Sequence, residues 1–238
     1  MARVLSKRGV CSRSEGARWI AEGRVEVDGR TIRDPEFPVV AGRHRIKVDG
    51  RPLQDAAPVY LALNKPRGLV TSASDEQARP TVYQCLEDAP VAWLAPVGRL
   101  DKASEGLLLF CNDPAWAAGL TQPRSGFDKT YHVQVDGLPD EAVLQSLRLG
   151  VVDLGEHLAA KSALLLRSGG RNAWLEIVLD EGRNRHIRRL LEVLGLRVLR
   201  LVRVAIGPLP LGRLEKGQWR LLSQQEVEML TVALNPGV

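Results

Sequence analysis

The sequence is poor in cysteine and has no long apolar run. Its three cysteines, Cys11, Cys85 and Cys111, are an odd number without metal-ligand spacing. We therefore expect buried or partly buried thiols, with neither a disulfide framework nor a metal site. No apolar run approaches the roughly 20 residues of a membrane span, and the N-terminus lacks the apolar core of a signal peptide. These absences predict a soluble cytoplasmic protein without a membrane partner.

The sequence also lacks a glycine-rich phosphate loop and the regular strand–helix alternation of nucleotide-binding folds. Strand and helix patterns alternate irregularly, which indicates an α+β protein with a mixed, largely antiparallel sheet flanked by helices. A short polar segment that ends in proline, residues 54–58, is typical of a linker. We expect a small α/β domain over residues 1–55 and a larger domain over residues 59–235.

Positive charge is gathered in two segments of the chain. Residues 1–55 hold twelve Lys or Arg against eight acids, and residues 183–203 hold seven Arg against one acid. The whole chain carries only +5, so the remainder is acidic overall. Such a distribution indicates a polyanionic partner, although two solvated basic faces would look alike. The prevalence of Arg, which binds phosphate and stacks on bases, favours RNA.

The N-terminal segment has the pattern of a compact helix and hairpin unit. Ser12 precedes Glu15 by three residues, the spacing of a capping box, and predicts a helix that runs to about Glu22. Two alternating segments, 25–27 and 46–48, each lead into an Asp-Gly turn and predict short strands. The cationic residues that we expect to face RNA phosphates are Lys7, Arg8, Arg13, Arg18 and Arg24.

A polar loop between two apolar runs forms the centre of the chain. The runs Val91 to Val97 and Leu107 to Cys111 predict buried strands, and Gly98 and Gly106 bracket the loop that contains Asp101. Core strands on both sides would hold the loop rigidly towards a ligand, so Asp101 is a candidate catalytic carboxylate. The alternative at this point is that Asp101 only satisfies turn backbone, as Asp often does.

The remaining patterns predict alternating strands and helices. Arg188 and Arg189 are neighbours on a predicted helix. If its apolar residues Ile187 and Leu191 face the core, at most one of the two arginines can reach a site beside the sheet. Further strands are expected at 59–63, 69–71, 129–135, 173–179, 198–206 and 219–222. Helices are expected from Asp113 to before Pro123, at 139–149, at 186–194, and from Ser223 to about Leu234.

Four motifs, in order along the chain, resemble those of the ribosomal RNA pseudouridine synthases of the RsuA and RluB type. The resemblance extends to the basic N-terminal segment, which looks like the alpha-L RNA-binding domain shared with a small-subunit ribosomal protein. It implies conversion of uridine to pseudouridine, an isomerisation that needs no cofactor. The motifs are Lys65-Pro66-Arg67-Gly68, Gly98-Arg99-Leu100-Asp101 with Ser104-Glu105-Gly106, Lys129-Thr130-Tyr131, and Glu181-Gly182-Arg183-Asn184-Arg185-His186-Ile187-Arg188-Arg189.

The resemblance assigns roles to three residues of these motifs. Asp101 matches the aspartate that acts at the ribose, Arg188 the arginine that pairs with it, and Tyr131 the tyrosine that stacks on the uracil. His186 replaces a usual Gln and Leu190 a frequent Met. For His186 a supporting polar role is favoured over that of a general base.

Several cations near these motifs are expected to contact the substrate. Arg99, beside the aspartate, is a candidate for the wedge that replaces an extruded uridine. Lys65 is either a surface loop charge or a contact to the RNA backbone. The expected RNA-binding residues of this region are Lys65, Arg99, Arg183 and Arg185.

We therefore expect a monomeric isomerase that acts on ribosomal RNA or on a ribosome assembly intermediate. The match to large-subunit enzymes, with the segment 79–82, favours large-subunit RNA. A non-catalytic RNA-binding or ribosome-assembly factor is the main alternative. Asp101, Tyr131 and Arg188 argue against it, because a binding protein has no need of an ionised carboxylate that faces a polyanion. A glycoside hydrolase using Asp101 and Glu105 would leave the basic segments unexplained.

Overall fold

Two helices and four short strands form the N-terminal unit of the computed structural model, which describes residues 1–40, 42–91, 93–122 and 127–232. These elements are α1 (Ala2–Lys7), α2 (Arg13–Ala21), β1 (Val25–Val27), β2 (Arg30–Ile32), β3 (Ile46–Val48) and β4 (Arg51–Pro52). The strands form an antiparallel sheet in the order β2-β1-β3-β4. The N-cap at Ser12 is confirmed, because the Ser12 hydroxyl accepts a hydrogen bond of 3.0 Å from the backbone N–H of Glu15.

The segment that follows this unit is hydrogen-bonded on both sides. The backbone N–H of Ala56 donates to the carbonyl of Arg8 at 3.1 Å. The Asn112 side chain accepts a 2.7 Å hydrogen bond from the Val59 N–H and donates at 2.9 Å to the carbonyl of Ala57. Gly9, with φ +71°, passes so close that a Cβ there would lie 2.7 Å from the Asn112 carbonyl oxygen. The N-terminal unit is thus packed directly against the larger part of the chain.

A nine-stranded sheet organises the rest of the chain. Its order is β11-β12-β8-β13-β7-β5-β15, with β6 paired to β7 and β14 to β13, while β9 and β10 form a separate hairpin. These labels denote the strands β5 (Tyr60–Lys65), β6 (Ala95–Val97), β7 (Glu105–Cys111), β8 (Lys129–Asp136), β9 (Val151–Asp153), β10 (Glu156–Leu158), β11 (Ser162–Ser168), β12 (Asn172–Leu179), β13 (Arg197–Ile206), β14 (Leu209–Pro210) and β15 (Trp219–Leu221).

The sheet is mixed and largely antiparallel, as the sequence predicts. Its central pair, β7 and β13, is parallel, and within the described ranges every other pair of these strands is antiparallel. The parallel contact spans two residue pairs, Glu105 with Val202 and Gly106 with Arg203. A Cβ on Gly106, whose φ is +101°, would lie 2.3 Å from the Arg203 carbonyl oxygen. Glycine therefore permits the close approach that joins the two halves of the sheet.

Four helices and a short 3-10 turn cover the sheet. They are α3 (Pro114–Thr121), the 3-10 turn Val82–Leu86, α4 (Glu141–Leu149), α5 (His186–Val193) and α6 (Gln224–Val232). The apolar side of α5 is buried at Ile187, Leu190 and Leu191, against the alternating inner residues of β8 and β12. None of the helices in the described ranges is long and apolar enough to cross a membrane. The expected extension of α6 to Leu234, and Pro123 after α3, lie outside the described residues.

Two predicted strands are much shorter than the apolar runs suggested. In the run Val91 to Val97, residue 92 lies outside the described residues, and only Ala95–Val97 is a strand. The Leu94 carbonyl there accepts a 2.7 Å hydrogen bond from the Tyr83 hydroxyl instead of a sheet partner. The predicted strand 69–71 is reduced to one bridge, between Val70 and Thr81. The next residue, Thr71, donates its hydroxyl to the Leu100 carbonyl in the loop that carries Asp101.

The segment that forms β9, β10 and β11 was not predicted. Strand β11 is an edge strand in which three consecutive leucines, residues 164–166, are 44% to 51% exposed. A run of leucines does not alternate, so its sequence gives no period-2 signal. The two strands of the β9–β10 hairpin are only three residues each, too short to show a pattern.

Candidate active site

A cavity of about 620 Å³ lies at the junction of the two halves of the sheet. Its lining comes from the loop after β6, from β8, from the segment between β12 and α5, and from β13. It brings together six residues singled out from the sequence: Arg99, Asp101, Tyr131, Arg183, Arg185 and Arg188. The lining otherwise includes apolar side chains, so the cavity suits a flat base with polar groups at its edge.

The loop that carries Asp101 is fixed by its backbone. The Asp101 carbonyl accepts a 2.9 Å hydrogen bond from the Ser104 N–H, and the Leu100 carbonyl accepts one of 2.7 Å from the Thr71 hydroxyl. Within the described residues, the half-buried carboxylate of Asp101 accepts no hydrogen bond from the turn. The alternative in which this side chain only satisfies turn backbone is therefore not supported, and the carboxylate is left free for a ligand.

Arg188 lies beside Asp101 without closing an ion pair in the described structure. Its Nη2 donates to the Ala103 carbonyl at 3.1 Å, and its buried Nε has no hydrogen-bond partner among the described residues. Burial, and then the charge of Arg185, lower the pKa of Arg188, while the charge of Asp101 opposes this shift. The Arg188 guanidinium is therefore close enough to interact electrostatically with the Asp101 carboxylate, and its Nε remains a donor without a partner among the described residues.

The neighbouring arginine points elsewhere, as the helix pattern predicts. Arg189 binds the carboxylates of Asp153 and Glu156, the latter at 2.6 Å. These acids lie on the β9–β10 hairpin, so Arg189 ties α5 to that hairpin. The prediction that only one of the two arginines reaches the site is confirmed, and Arg188 is that residue.

Tyr131 projects from β8 into the cavity. It is half-buried, while Val133 and Val135 on the same face are fully buried, which confirms the predicted half-buried strand. Its register partners are Arg203 on β13 and Ile177 on β12. The ring is thus held between two strands at the wall of the cavity.

Exposed arginines surround the cavity mouth. Arg183 is anchored, since it pairs with Glu181 at 2.9 Å and donates to the His157 carbonyl at 2.7 Å. Arg185 adopts a left-handed backbone, φ +50°, immediately before α5, and it is exposed like Arg99. The rim is therefore cationic on both sides of the cavity.

His186 is buried at the first position of α5. Its Nδ1 lies 3.5 Å from a carboxylate oxygen of Glu181, and burial lowers the pKa of its imidazole. His186 lines the cavity and neither of its ring nitrogens has a hydrogen-bond partner among the described residues, so its polar supporting role stays a prediction.

Lys65 does not occupy either of the positions suggested by the sequence. It is fully buried rather than a surface charge or an RNA contact, because its motif lies at the end of a central strand. Its ammonium donates to the carbonyls of Pro66, Asp101 and Ser104 at 3.1, 3.2 and 2.9 Å. Burial lowers the pKa of Lys65 to about 8, against the opposing charges of Asp101 and Glu105. Lys65 thus fixes the loop that carries Asp101.

The N-terminal cations are not equally free to bind RNA. Arg24 binds Asp49 through two hydrogen bonds of 2.9 and 2.7 Å, Arg18 contacts Glu15 at 3.4 Å, and Arg8 pairs with Asp55 at 3.2 Å. Lys7 and Arg13 are exposed and make no ion pair within the described ranges. These two side chains can meet phosphates without giving up an existing partner.

Glu105 is separated from the cavity by its own ion pairs. Its side chain is 3% exposed and binds Arg200 at 2.8 Å and Lys216 at 2.5 Å. It does not line the cavity that holds Asp101. A hydrolase built on the pair Asp101 and Glu105 is therefore excluded by geometry.

Two cavity residues, Lys129 and Arg203, were given no role of their own in the site from the sequence. Lys129 precedes Tyr131 by two residues and therefore shares its strand face, a signal that was available. Arg203 lies in the basic segment 183–203, but its burial depends on the pairing of β13 with β7 and β8. Sequence patterns alone carry no signal for that pairing.

Comparison with known proteins gives a consistent result. Residues 59–193 match the family model of RNA pseudouridylate synthases, and residues 2–44 match that of the S4 domain. An RNA pseudouridine synthase of Aquifex aeolicus is 36% identical over 234 residues, which cover 98% of this chain and 93% of the relative. The ribosomal large subunit pseudouridine synthase B of Bacillus subtilis is 34% identical over 239 residues, 100% of this chain and 97% of the relative.

A solved structure has the same fold over nearly the whole chain. A crystal structure described as a pseudouridylate synthase superimposes with a TM-score of 0.66 at 29% identity, over 96% of this chain and 98% of that one. The resemblance to enzymes of the RsuA and RluB type, and the RNA-binding character of the N-terminal unit, are thereby confirmed.

Proposed function

The chain belongs to the RNA pseudouridylate synthase family, and we propose that it isomerises a uridine of ribosomal RNA whose base is extruded into the cavity beside Asp101. One observation carries the proposal: a single cavity gathers Asp101, Tyr131 and Arg188 from three distant segments. The free carboxylate of Asp101 is the group that can act at the ribose.

The reaction is balanced without an added reactant. The bond between the anomeric carbon and N1 breaks, and its electron pair leaves with the uracil. In one path a carboxylate oxygen of Asp101 bonds the anomeric carbon; in the other the carboxylate serves a path through a glycal. The base then turns and C5 bonds the anomeric carbon. In the first path this step breaks the bond to the Asp101 carboxylate and releases it; in the second, the proton that C2′ lost when the glycal formed returns to C2′. C5 then loses its proton and N1 gains one. The product is an isomer of the substrate.

Arg188 and Tyr131 complete this assignment. Removing water from a carboxylate disfavours its charged form, and a fixed guanidinium opposes that effect. The donors of Arg188 that lack a protein partner can turn to Asp101 when substrate excludes water. The ring of Tyr131 provides a flat apolar surface on which a uracil can stack.

The exposed rim suits the phosphates around an extruded nucleotide. Taking a base out of its stack costs a few kcal/mol, and contacts that replace it lower this cost. Arg99 stands next to Asp101 and is exposed, so we assign it the position of the extruded base. Arg183 and Arg185 would hold the flanking backbone on the other side of the cavity.

We assign large-subunit RNA as the target, and the cytoplasm as the site of action. The Bacillus subtilis relative carries that target in its name and aligns over the full length of this chain. An S4 domain packed against the larger domain suits a structured element near the uridine, because two sites that engage together gain from high effective concentration. One chain builds the whole cavity, which supports a monomer.

Mapping pseudouridines on separate transcripts of large- and small-subunit RNA tests this function. We expect one modified uridine in the large-subunit transcript with the wild-type protein and none with Asp101→Asn. Modification confined to the small-subunit transcript would overturn the target and leave the chemistry standing. No modification of either transcript, or of an assembly intermediate, would overturn the activity.

A further inference from the structure

Two cations on neighbouring strands line the cavity and have no role in the assignments above. Lys129 precedes Tyr131 by two residues, so both side chains leave the same face of β8. Arg203 lies on β13 opposite Tyr131 in the antiparallel register. All three side chains line the cavity that contains Asp101.

The guanidinium of Arg203 is buried and only partly bonded. The residue is 6% exposed, and its Nε donates a 2.7 Å hydrogen bond to the carbonyl of Leu107. Its buried Nη2 has no hydrogen-bond partner among the described residues. A buried cationic donor without an acceptor is unfavourable, so the arrangement is suited to an acceptor that arrives with a ligand.

Lys129 places a second positive charge beside the first. Within the described ranges its ammonium makes no hydrogen bond and no ion pair. The adjacent carboxylate of Asp128 is bound by Lys161 at 2.8 and 2.9 Å. Burial, and then the charge of Arg203, lower the pKa of Lys129, while Asp128 and Asp180 oppose this shift. Two cations are thus held near each other next to the ring of Tyr131.

We propose that Lys129 and Arg203 hold and stabilise the uracil anion after it has left the ribose. This inference rests on the proposed function. When the bond from the anomeric carbon to N1 breaks, both electrons stay with the base, and the negative charge spreads over N1 and the two carbonyl oxygens. Cationic donors fixed where that charge develops favour bond breaking and keep the base in place while it turns.

A backbone phosphate is the other anion that the pair could meet, but its position argues against it. The arginines at the rim, Arg99, Arg183 and Arg185, are exposed where the RNA backbone would pass. Arg203 is buried at the seam between β7 and β13, on the wall that Tyr131 also forms. Arg203 is buried and Lys129 is half-buried, so this pair is placed for the base and the exposed arginines for phosphates.

The test separates the rate of reaction from the affinity for RNA. Lys129→Met removes the charge and keeps a similar apolar stem. RNA labelled with tritium at C5 of its uridines releases tritium when the product forms, so a single-turnover rate constant can be measured at saturating enzyme. Lys102→Met is the matched control, because Lys102 is exposed in the loop that carries Asp101, does not line the cavity, and its side chain makes no hydrogen bond among the described residues.

For Lys129→Met we expect a rate constant about 100-fold lower, the loss typical of one donor to a developing anion, with RNA affinity within about threefold of wild type. Lys129→Arg should recover part of the rate, and the control should keep it. If thermal unfolding shows that Arg203→Met is folded, its rate constant should fall as that of Lys129→Met does. If Arg203→Met does not fold, the result for Lys129→Met alone tests the proposal.

Two results would overturn the inference while leaving the function intact. An unchanged rate constant with weakened, less salt-dependent binding would assign Lys129 to a phosphate, and an unchanged rate constant with unchanged binding would leave it a structural role. A wild-type protein that releases no tritium from ribosomal RNA would instead overturn the proposed function itself.

Discussion

The ammonium of Lys65 donates a 3.2 Å hydrogen bond to the backbone carbonyl of Asp101 from a fully buried position. The same group binds the carbonyls of Pro66 and Ser104, so one side chain ties the loop that carries Asp101 to the end of β5. Lys65 holds the backbone of Asp101 and not its side chain, so the carboxylate remains free.

This contact predicts a loss of activity at alkaline pH without unfolding. The pKa of Lys65 is lowered to about 8, so its ammonium loses a proton, and with it a donor, above that pH. The unfolded chain keeps that proton up to about pH 10.4, so between these values the folded state binds fewer protons and Lys65 adds stability as pH rises. The single-turnover rate should therefore fall above about pH 8 while this lysine does not lower the unfolding temperature.

The alkaline fall could also arise from Lys129, whose pKa is lowered as well. Measuring the profile of Lys129→Arg, which keeps its charge over this range, distinguishes the two lysines. If the rate of Lys129→Arg still falls at alkaline pH, the fall is assigned to deprotonation of Lys65. A rate that stays level up to pH 9.5 in the wild-type protein would contradict the role given to Lys65.

Asp101→Asn should abolish catalysis and spare the fold. The substitution keeps the shape of the side chain, removes its charge and breaks no hydrogen bond of the described structure. We expect the rate to fall by more than a factor of about 100, or ~2.7 kcal/mol of transition-state stabilisation, with RNA affinity and unfolding temperature nearly unchanged. Glu192→Gln, an exposed change of the same kind, should be active. An Asp101→Asn protein that retains more than about a hundredth of the wild-type rate would refute the catalytic assignment of Asp101.

The neighbouring arginines should give opposite phenotypes. Arg188→Met is expected to lose catalysis by about 100-fold or more, because Asp101 loses a neighbouring cation that favours its charged form in a site that excludes water. Arg189→Met should retain catalysis and lower the stability only slightly, since its ion pairs with Asp153 and Glu156 are partly exposed. Rate constants and urea unfolding on both variants check this, and loss of catalysis in both would contradict it.

Gly9→Ala should weaken RNA binding more than it weakens catalysis. The left-handed backbone costs about 1 kcal/mol for alanine, and the new Cβ would also meet the Asn112 carbonyl oxygen at 2.7 Å. Gly29→Ala is the matched control, since its φ is +80° with nothing within 4 Å of the Cβ. If affinity and unfolding temperature shift no more for Gly9→Ala than for Gly29→Ala, the contact between Gly9 and Asn112 does not fix the N-terminal unit against the rest of the chain.

The salt dependence of binding should identify the free cations of the N-terminal unit. Lys7→Gln and Arg13→Gln should each reduce the slope of log affinity against log salt by roughly 0.7 if the contacted RNA is single-stranded. Arg24→Gln should change the slope less, because Arg24 is already paired with Asp49. Equal slopes for all three variants would mean that the ion pairs do not govern access to RNA.

Local patterns predicted the parts of the fold that depend on local interactions. The cap at Ser12, the buried run Leu107 to Cys111 and the single inward-facing arginine of α5 follow from spacing and periodicity, and the structure contains all three. The family resemblance supplied the site residues, of which Asp101 and Arg188 share one cavity.

The residues that were misplaced or missed depend on contacts between distant segments. Lys65 is buried because the loop ending at Ser104 folds over it, 39 residues later in the chain. Arg203 becomes a cavity residue only when β13 lies beside β7, and its bond to Leu107 joins residues 96 positions apart. Neither relationship produces a periodic pattern, so the sequence predicted a surface or RNA-facing role for Lys65 and none for Arg203.

The narrow parallel seam between β7 and β13 determines when activity can first appear during folding. One half of the sheet contributes Asp101, and the other contributes Tyr131 and Arg188. Within each half the strands pair antiparallel, whereas the seam joins segments nearly a hundred residues apart through only two residue pairs. Closing long loops is entropically costly and slows folding, so partly folded chains can contain most of the strands and still lack an aligned site. Catalytic competence is therefore a property of the completed chain, and recovered activity would report its final assembly step.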